Sequence, residues 1–258
     1  MKLKFSFGKD SYDFDIPESI NNLTLEQFIN LQKTIEKTKD EKEVDKVLEI
    51  VSTLSKIPLK ALKTIDAKSV GVLLKYVNDF LHTDTTIEFK EKIRVEGKNY
   101  GMNPTFDALT LGEFVDLETY SKNWTNNLHR ILAILYRPIK NKQVVDYTPD
   151  RERGDIFLKK LYIKDVYGTF VKYLDYRTKL YEDFEELFTT GEKEHGINSY
   201  NDMGEKWGWY NHIYLLANEN ILNINKITKL PVYECLTFMT YKQDLNEKLE
   251  NERRFNKV

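Results

Sequence analysis

The residues that could do chemistry in this chain are few and widely spaced. The four histidines, at positions 82, 129, 195 and 212, are scattered, and none has a second ligand at the spacing that a metal site needs. His129 falls in a strongly apolar stretch, where a hydrogen-bonded imidazole in the core is the expected role. Cys235 lies among apolar residues without an adjacent activating charge, so we expect a buried, unreactive thiol. Neither residue type predicts a metal site or a nucleophile.

Short motifs with a chemical meaning are also missing. The stretch "GEKEHG" at 191–196 lacks the spacing and the Lys-Ser/Thr pair of a phosphate-binding loop. The paired acids Glu185 and Glu186, with Asp183, fall on the solvated side of a predicted helix, and the triplet "RGD" at 153–155 has negligible specificity. We therefore expect no enzymatic activity, no metal and no cofactor.

Aromatic residues are the feature that most needs an explanation. In "KWGWYNHIYLL", residues 206–216, helical spacing places Trp207 and Tyr210 on one side and Trp209 elsewhere. These rings could anchor the C-terminal helices to the core, or they could form an interface hot spot, where rigid aromatic residues are enriched. The last predicted helix adds aromatic residues beyond what one buried face needs. The candidate interface residues are Trp207, Trp209, Tyr210, Tyr214, Tyr233, Phe238 and Tyr241.

Composition narrows the class of protein. The 258 residues carry a net charge of −2 without a run of Lys or Arg, so specific nucleic-acid binding is not expected. A single cysteine fits a reducing compartment. The first residues, "MKLKFSFGKDSYDF", lack the apolar run of a signal peptide, and no apolar run is long enough to span a membrane. We expect a soluble intracellular protein, or one released by lysis.

One line of sequence occurs twice. Residues 23–32, "LTLEQFINLQ", and 109–118, "LTLGEFVDLE", share five of ten residues, and four of the other five are conservative exchanges. Thr24 with Gln27, and Thr110 with Glu113, have the spacing of a helix-capping box. Each line follows a predicted β-hairpin and a proline, Pro17 or Pro104. The repeat therefore predicts two hairpins that each lead into a capped helix. A true duplication, in which both copies bind similar partner surfaces, is the alternative.

Further helices follow from apolar periodicity. A stripe of Val44, Val47, Leu48, Val51 and Leu54 predicts one helix, and residues 128–136 are apolar almost all round, which predicts a central helix that Pro138 ends. Residues 144–155 are expected to form a loop. Residues 165–188 predict a long helix whose aromatic stripe either packs in the core or lies along a neighbouring subunit. The C-terminal part is expected to contain helices at 206–220 and 231–254 with a connection between them, and Pro231 suits the first helical turn.

These elements predict an α+β fold that is predominantly α-helical. The expected organisation is a hairpin with helices at 1–84, a second hairpin with long helices at 85–188, a mobile loop at 189–205 and a helical segment at 206–258.

Five stretches together carry a family resemblance. In order they are "DIPESINNLTLEQFINLQ", "IVSTLSKIPLKAL", "ALTLGEFVDLETY", "ILAILYRPI" and "KWGWYNHIYLLA…LPVYECLTFM". This series resembles small structural and assembly proteins of tailed bacteriophages, including the crAss-like group, over most of the chain. The likeness consists of apolar and capping patterns, and no functional residue can be carried over from it.

The resemblance implies a non-enzymatic part of the virion, assembled in the host cytoplasm. We expect a ring or connector subunit at the head–tail junction, contacting portal, tail or neighbouring ring subunits and forming a homo-oligomeric ring. The alternative is a tail assembly chaperone that does not remain in the particle. An unrelated cytosolic adaptor is a third possibility, which non-viral neighbouring genes would favour.

Overall fold

The fold is α+β and predominantly helical, as predicted. The computed structural model describes residues 2–7, 10–83, 88–103, 105–189 and 207–255. The expected mobile loop at 189–205, except for Thr189, lies outside these residues, and so do Pro104 and the turn of the first hairpin. The chain divides into two compact units. The first contains residues 1–102 and 120–171, and the second contains residues 103–119 and 172–258.

The first unit contains all six strands of the described residues, together with several helices. Its elements, in chain order, are β1 (Lys2–Phe7), β2 (Asp10–Asp15), a 3-10 helix (Ile20–Asn22), α1 (Leu25–Lys37), α2 (Glu43–Ser55), α3 (Leu59–Leu62), α4 (Ala67–Leu81), β3 (Lys92–Val95), β4 (Lys98–Gly101), α6 (Trp124–Leu135), β5 (Arg137–Lys140), β6 (Gln143–Val144), α7 (Arg151–Lys160) and the first nine residues of α8 (Ile163–Asp183).

The second unit is helical in the part of the chain that the structure describes. Its elements are most of α5 (Leu111–Ser121), the remainder of α8, α9 (Glu185–Thr189), α10 (Trp209–Leu216), α11 (Ile221–Ile227) and α12 (Val232–Phe255).

The two predicted capping boxes are confirmed. The Thr24 hydroxyl accepts a hydrogen bond from the Gln27 N–H at 3.3 Å, and Gln27 Oε1 accepts from the Thr24 N–H at 2.9 Å. In the second copy, Thr110 Oγ1 accepts from the Glu113 N–H at 3.3 Å, and Glu113 Oε2 accepts from the Thr110 N–H at 2.8 Å. Each box satisfies donors that the first helical turn leaves unpaired.

Each capped helix also pairs with the start of a second helix, which the sequence did not predict. Beside Thr24, the Leu25 N–H donates to Leu161 O and the Ile163 N–H donates to Leu23 O, both at 2.9 Å. Beside Thr110, the backbone around Pro231 repeats this pattern: Leu111 donates to Leu230 O and Val232 donates to Leu109 O, both at 2.8 Å. Two antiparallel bridges therefore join helix starts, α1 to α8 and α5 to α12.

The strands form one hairpin and one four-stranded sheet. β1 pairs with β2, and the sheet has the order β3-β4-β5-β6, antiparallel throughout. The second predicted hairpin is confirmed, with Glu96 and Gly97 in its turn at φ values of 48° and 79°. Two successive positive φ values are typical of a type I′ turn, which glycine favours.

A third hairpin, β5–β6, was missed by the sequence analysis. Helix α6 ends at Leu135, and Pro138, expected only to stop that helix, lies in β5 opposite Tyr100. Proline has no N–H to donate, but its carbonyl accepts from the Val145 N–H at 3.0 Å. Asn141 and Lys142 form the turn with φ values of 50° and 66°.

The predicted loop at 144–155 is wrong for its second half, where α7 begins. Asp150 caps this helix, because its Oδ1 accepts from the Arg153 N–H at 2.9 Å. Arg153 itself is buried, and its Nε donates to the Ala133 carbonyl at 2.9 Å. The segment forms a helix in spite of its polar composition because Arg153 is buried with a backbone hydrogen-bond partner. The "RGD" triplet at 153–155 is part of this helix.

Three other predictions need correction. The long helix predicted at 165–188 is broken at Phe184 into α8 and α9. Val44, placed on the apolar stripe of the second helix, is exposed. Pro231 lies one residue before the first helical residue, in the bridge to Thr110. The central position of residues 128–136 is confirmed, since all of them except Arg130 are buried.

Candidate interaction surface

Six of the seven candidate interface residues are exposed. Their exposed fractions run from 37% for Tyr214 to 61% for Tyr241. Trp207 lies two residues before α10 and Tyr210 lies within it, and their rings are 5.8 Å apart, centroid to centroid, on the same side as predicted. On α12, Tyr233, Phe238 and Tyr241 are exposed, whereas Val232, Cys235 and Leu236 are buried. The residues predicted to exceed one buried face of α12 therefore reach solvent.

Trp209 is the exception, because it serves as an anchor. It is half-buried, and the edge of its ring meets Phe114 of α5 with a centroid distance of 5.1 Å and an interplanar angle of 84°. It also lies 6.2 Å from Phe188 and 5.3 Å from His212. Edge-to-face geometry is favourable for aromatic pairs. Of the two interpretations of "KWGWYNHIYLL", anchoring therefore describes Trp209, and exposure describes Trp207 and Tyr210.

The sequence analysis missed several exposed apolar residues in the same segment. Of the sixteen large hydrophobic side chains that are exposed in the described part of the chain, twelve lie between 207 and 255. We call these twelve the C-terminal apolar set: Trp207, Tyr210, Tyr214, Leu215, Ile221, Leu222, Leu230, Tyr233, Phe238, Tyr241, Leu249 and Phe255. Residues 221–227 were treated as a connection, although "ILNINKI" contains four apolar residues in seven, which was the available signal.

A buried ion pair joins α5 and α8 of the second unit. Glu118, 6% exposed, accepts two hydrogen bonds from Arg177, at 2.6 and 2.8 Å, and one from the Tyr181 hydroxyl at 2.7 Å. The hydrogen bond to Glu118 raises the pKa of Arg177. Burial, followed by the hydrogen bond to Glu118, raises the pKa of Tyr181. The Glu118 carboxylate thus joins α5 to α8, and it accepts hydrogen bonds from three donor groups, two on Arg177 and one on Tyr181.

Aromatic contacts continue from this pair toward Trp209. The Arg177 guanidinium lies 4.5 Å from the Tyr181 ring centroid, and Tyr181 stacks on Phe188 with a centroid distance of 4.1 Å. Phe188 in turn contacts Trp209. Farther along, Phe184 meets the Tyr233 ring at 4.8 Å. Helices α8, α9, α10 and α12 are therefore linked by ring contacts.

Cys235 and His129, the two titratable residues for which burial was expected, are both buried. Burial raises the pKa of the Cys235 thiol to about 11, so it is protonated at neutral pH. Burial, assisted by the charge of Arg130, lowers the pKa of His129 to about 4. The expected hydrogen-bonded imidazole is wrong for Nδ1, which has no hydrogen-bond partner. His195 lies outside the described residues, and His82 Nδ1 pairs locally with the Asn78 carbonyl at 2.7 Å.

No group of three potential metal ligands occurs within the described ranges. In the same ranges, no helix is both long and apolar enough to cross a bilayer. A surface groove of about 470 Å³ lies along α4, and its charged lining residues are Glu18, Lys68, Lys75 and Asp79. Two acidic and two basic side chains do not favour a ligand of either charge.

Comparison with known proteins adds no relative. No protein-family model, no curated protein and no solved structure matches the chain.

Proposed function

We propose that this chain is a non-enzymatic structural protein of a tailed bacteriophage virion, acting as a ring or connector subunit at the head–tail junction. The observation that supports the proposal best is the C-terminal apolar set, in which one segment carries twelve of the sixteen exposed large hydrophobic side chains of the described residues. The bacteriophage context comes from the sequence resemblance alone.

The chemistry of this set suits a protein partner. Tyr, Trp and Phe are enriched in protein–protein interfaces, where they contribute large contact areas at a small cost in side-chain entropy. Seven of the twelve residues are Tyr, Trp or Phe on α10 and α12 or close to them in the chain. The net charge of −2 is too small to oppose close packing of many copies. A ring of subunits would bury such side chains between neighbours.

The rigid support below the set is also consistent with an assembly role. The contacts of Trp209 with Phe114 and Phe188 anchor α10, and Phe184 contacts Tyr233 of α12. Interfaces with preordered side chains lose less conformational freedom on association than flexible ones do. The proposed contribution of this chain to the particle is therefore mechanical: it binds neighbouring proteins and transforms no substrate.

Mass spectrometry of purified virions tests the proposal. We expect the chain at a fixed ratio to the portal protein in tailed particles. Absence from virions, together with co-purification of a tape-measure-like protein from infected cells, would instead establish the assembly chaperone. Absence from both fractions would refute a role in the particle and in its assembly.

Complementation gives a second test that depends on the exposed residues. Phage lacking the gene would be supplied in trans with wild-type protein, Tyr241→Asp or the control Val72→Asp, which changes an exposed apolar residue of the first unit. We expect Tyr241→Asp to reduce the yield of joined heads and tails and Val72→Asp to restore it. Equal yields from the two variants would count against the C-terminal apolar set as the assembly surface.

A further inference from the structure

Helix α12 is buried along one side of its first half. That side contains the buried residues of the helix and partly buried ones that follow them: Val232, Cys235, Leu236, Met239 and Gln243. From residue 246 to the end of the helix at residue 255, every side chain that the structure describes is exposed. At 1.5 Å per residue, about 15 Å of helix therefore extends beyond the last partly buried side chain.

The opposite side of α12 carries a second stripe of residues. Phe238 and Leu245 lie about half a helical turn from Leu236, so they point away from the buried side. Lys242 is on this opposite side as well, since its Nζ lies 5.7 Å from the Phe238 ring centroid. We call five residues, at steps of four, three, four and three, the outer stripe: Phe238, Lys242, Leu245, Leu249 and Glu252. These steps are the spacing of the two core positions in a coiled-coil heptad.

Polarity divides the neighbouring positions around the outer stripe. Positions 243, 244, 247, 250, 251 and 254, on the side away from the stripe, are all polar. Tyr241 and Phe255, which are 61% and 82% exposed, lie beside the stripe. All apolar residues between 241 and 255 are therefore on the outer stripe or next to it. Such segregation is typical of a helix that packs against a second helix.

The charges of the outer stripe select its partner. In an antiparallel pair of identical helices, Lys242 lies opposite the second copy's Glu252, and Leu245 lies opposite the second copy's Leu249, each pair occurring twice. A parallel pair would instead place Lys242 against Lys242 and Glu252 against Glu252, and like charges repel at such positions. An antiparallel shift by one heptad in either direction places a charged residue opposite a leucine. The stripe is thus complementary to itself in one orientation and one register.

The flanks of the same arrangement bring aromatic residues together. Tyr241 and Phe255 lie on the same flank of the stripe, and antiparallel pairing places Tyr241 of each copy beside Phe255 of the other. Covering these exposed rings removes apolar surface from water. At the centre, Lys248 of the two copies lies on that flank near the two-fold axis, and this repulsion limits the affinity. We therefore expect association at micromolar rather than nanomolar concentration.

We propose that residues 241–255 of α12 pair antiparallel with the same residues of a second copy of this chain, through the outer stripe. The same surface is used by both copies, so the contact closes at two copies and does not itself form a ring. The proposal goes beyond the proposed function and does not depend on it, because it assigns a two-fold contact that is separate from any ring contact.

Single charge reversals in the full chain test the proposal. Sedimentation velocity and native mass spectrometry, from low to high micromolar concentration, should show a dimer for the wild type. Lys242→Glu and Glu252→Lys each replace two attractive pairs by two repulsive ones and should raise the dimer Kd by about tenfold or more. The matched control Glu247→Lys makes the same change on the side away from the stripe, and it should dimerise as the wild type does. All three residues are exposed, so the variants should remain folded, which circular dichroism would verify.

Restoration of the charge pairs gives the sharper result. An equimolar mixture of the Lys242→Glu and Glu252→Lys chains should form dimers of one copy each, with a Kd close to that of the wild type. The double variant Lys242→Glu, Glu252→Lys should dimerise by itself, because each exchanged pair is again attractive in the antiparallel orientation. A parallel pair would place like charges opposite each other in the double variant, so this chain also tests the orientation.

The outcomes that would overturn the proposal are distinct from those that bear on the proposed function. A wild-type chain that remains monomeric up to high micromolar concentration would show that the stripe does not bind a second copy. A dimer that Lys242→Glu and Glu252→Lys leave unchanged would be formed by another surface. A folded double variant without dimers would exclude the antiparallel register. Each of these results is obtained with the purified chain, whether or not the chain is found in virions.

Discussion

Removal of the Glu118 carboxylate should be among the most damaging single changes in the second unit. Glu118 is 6% exposed and accepts three hydrogen bonds from two side chains, Arg177 and Tyr181. In Glu118→Ala, the guanidinium loses its ion pair and the Tyr181 hydroxyl loses its acceptor. Breaking a buried pair from one side costs about 3–5 kcal/mol. Because the Arg177 side chain remains 33% exposed, water compensates in part, and we expect a loss of about 3 kcal/mol.

The assay is urea unfolding followed by circular dichroism and tryptophan fluorescence, since Trp207 and Trp209 report on this unit. The control is Lys63→Ala, which removes an exposed ion pair to Asp45 at 3.6 Å and should cost less than about 1 kcal/mol. The double variant Glu118→Leu, Arg177→Met should recover much of the loss, because no unpaired charge remains. If the Glu118→Ala chain were as stable as the Lys63→Ala chain, the Glu118–Arg177 pair would not make the stabilising contribution expected of a buried ion pair.

Three further predictions concern helix starts, close packing and pH. Thr110→Ala should lower the free energy of unfolding by about 1 kcal/mol through loss of the cap, measured by urea titration, and an unchanged midpoint would contradict the capping box. Gly168→Ala should destabilise by about 1–3 kcal/mol, because the methyl group meets residues 88 and 89, whereas Gly71→Ala, with open space around it, should be neutral or stabilising by thermal unfolding. Because the pKa of His129 is about 4 in the fold and 6.5 in the unfolded chain, its contribution to stability is complete above pH 6.5 and is lost as the pH falls toward 4. His129→Phe should flatten that part of the stability profile, and an NMR titration midpoint near 6.5 for His129 would contradict its burial.

Local chemistry explains what the sequence predicted well. The capping boxes at Thr24 and Thr110 depend on residues three apart, and the turn at Glu96–Gly97 depends on one glycine. Such features are determined within a few residues, so they can be recognised without knowledge of the fold. The buried run at 128–136 could be predicted for the same reason, because its apolar residues occupy all sides of the helix.

Long-range pairing explains what the sequence did not predict. The bridge between Thr24 and Tyr162 joins residues far apart in the chain, and no local sequence pattern near Tyr162 predicts it. Strand β5 exists because β4 is available as its neighbour, and α7 is stabilised by a bond from Arg153 to Ala133. In these cases tertiary contacts override weak or contrary local preferences.

The interaction surface was recognised only in part, for a related reason. Trp207 and Trp209 are two residues apart and of the same type, yet one is exposed and the other packs against Phe114. Helical spacing separated their directions but could not say which direction faced α5. Residues 221–230 were predicted to be a connection, because a helix as short as α11 has too few turns to show a clear apolar periodicity.

The bridges between helix starts have an electrostatic consequence. Each one brings the positive poles of two helix dipoles side by side, an arrangement that repels by itself. Every helix involved carries an acidic residue in its first turn: Glu26 in α1, Asp165 in α8, Glu113 in α5 and Glu234 in α12. These four negative charges offset the repulsion between the paired poles, each by about 0.3–1 kcal/mol. A lysine in any of the four places would add positive charge to the junction and should weaken the contact between the two helix starts by a similar amount.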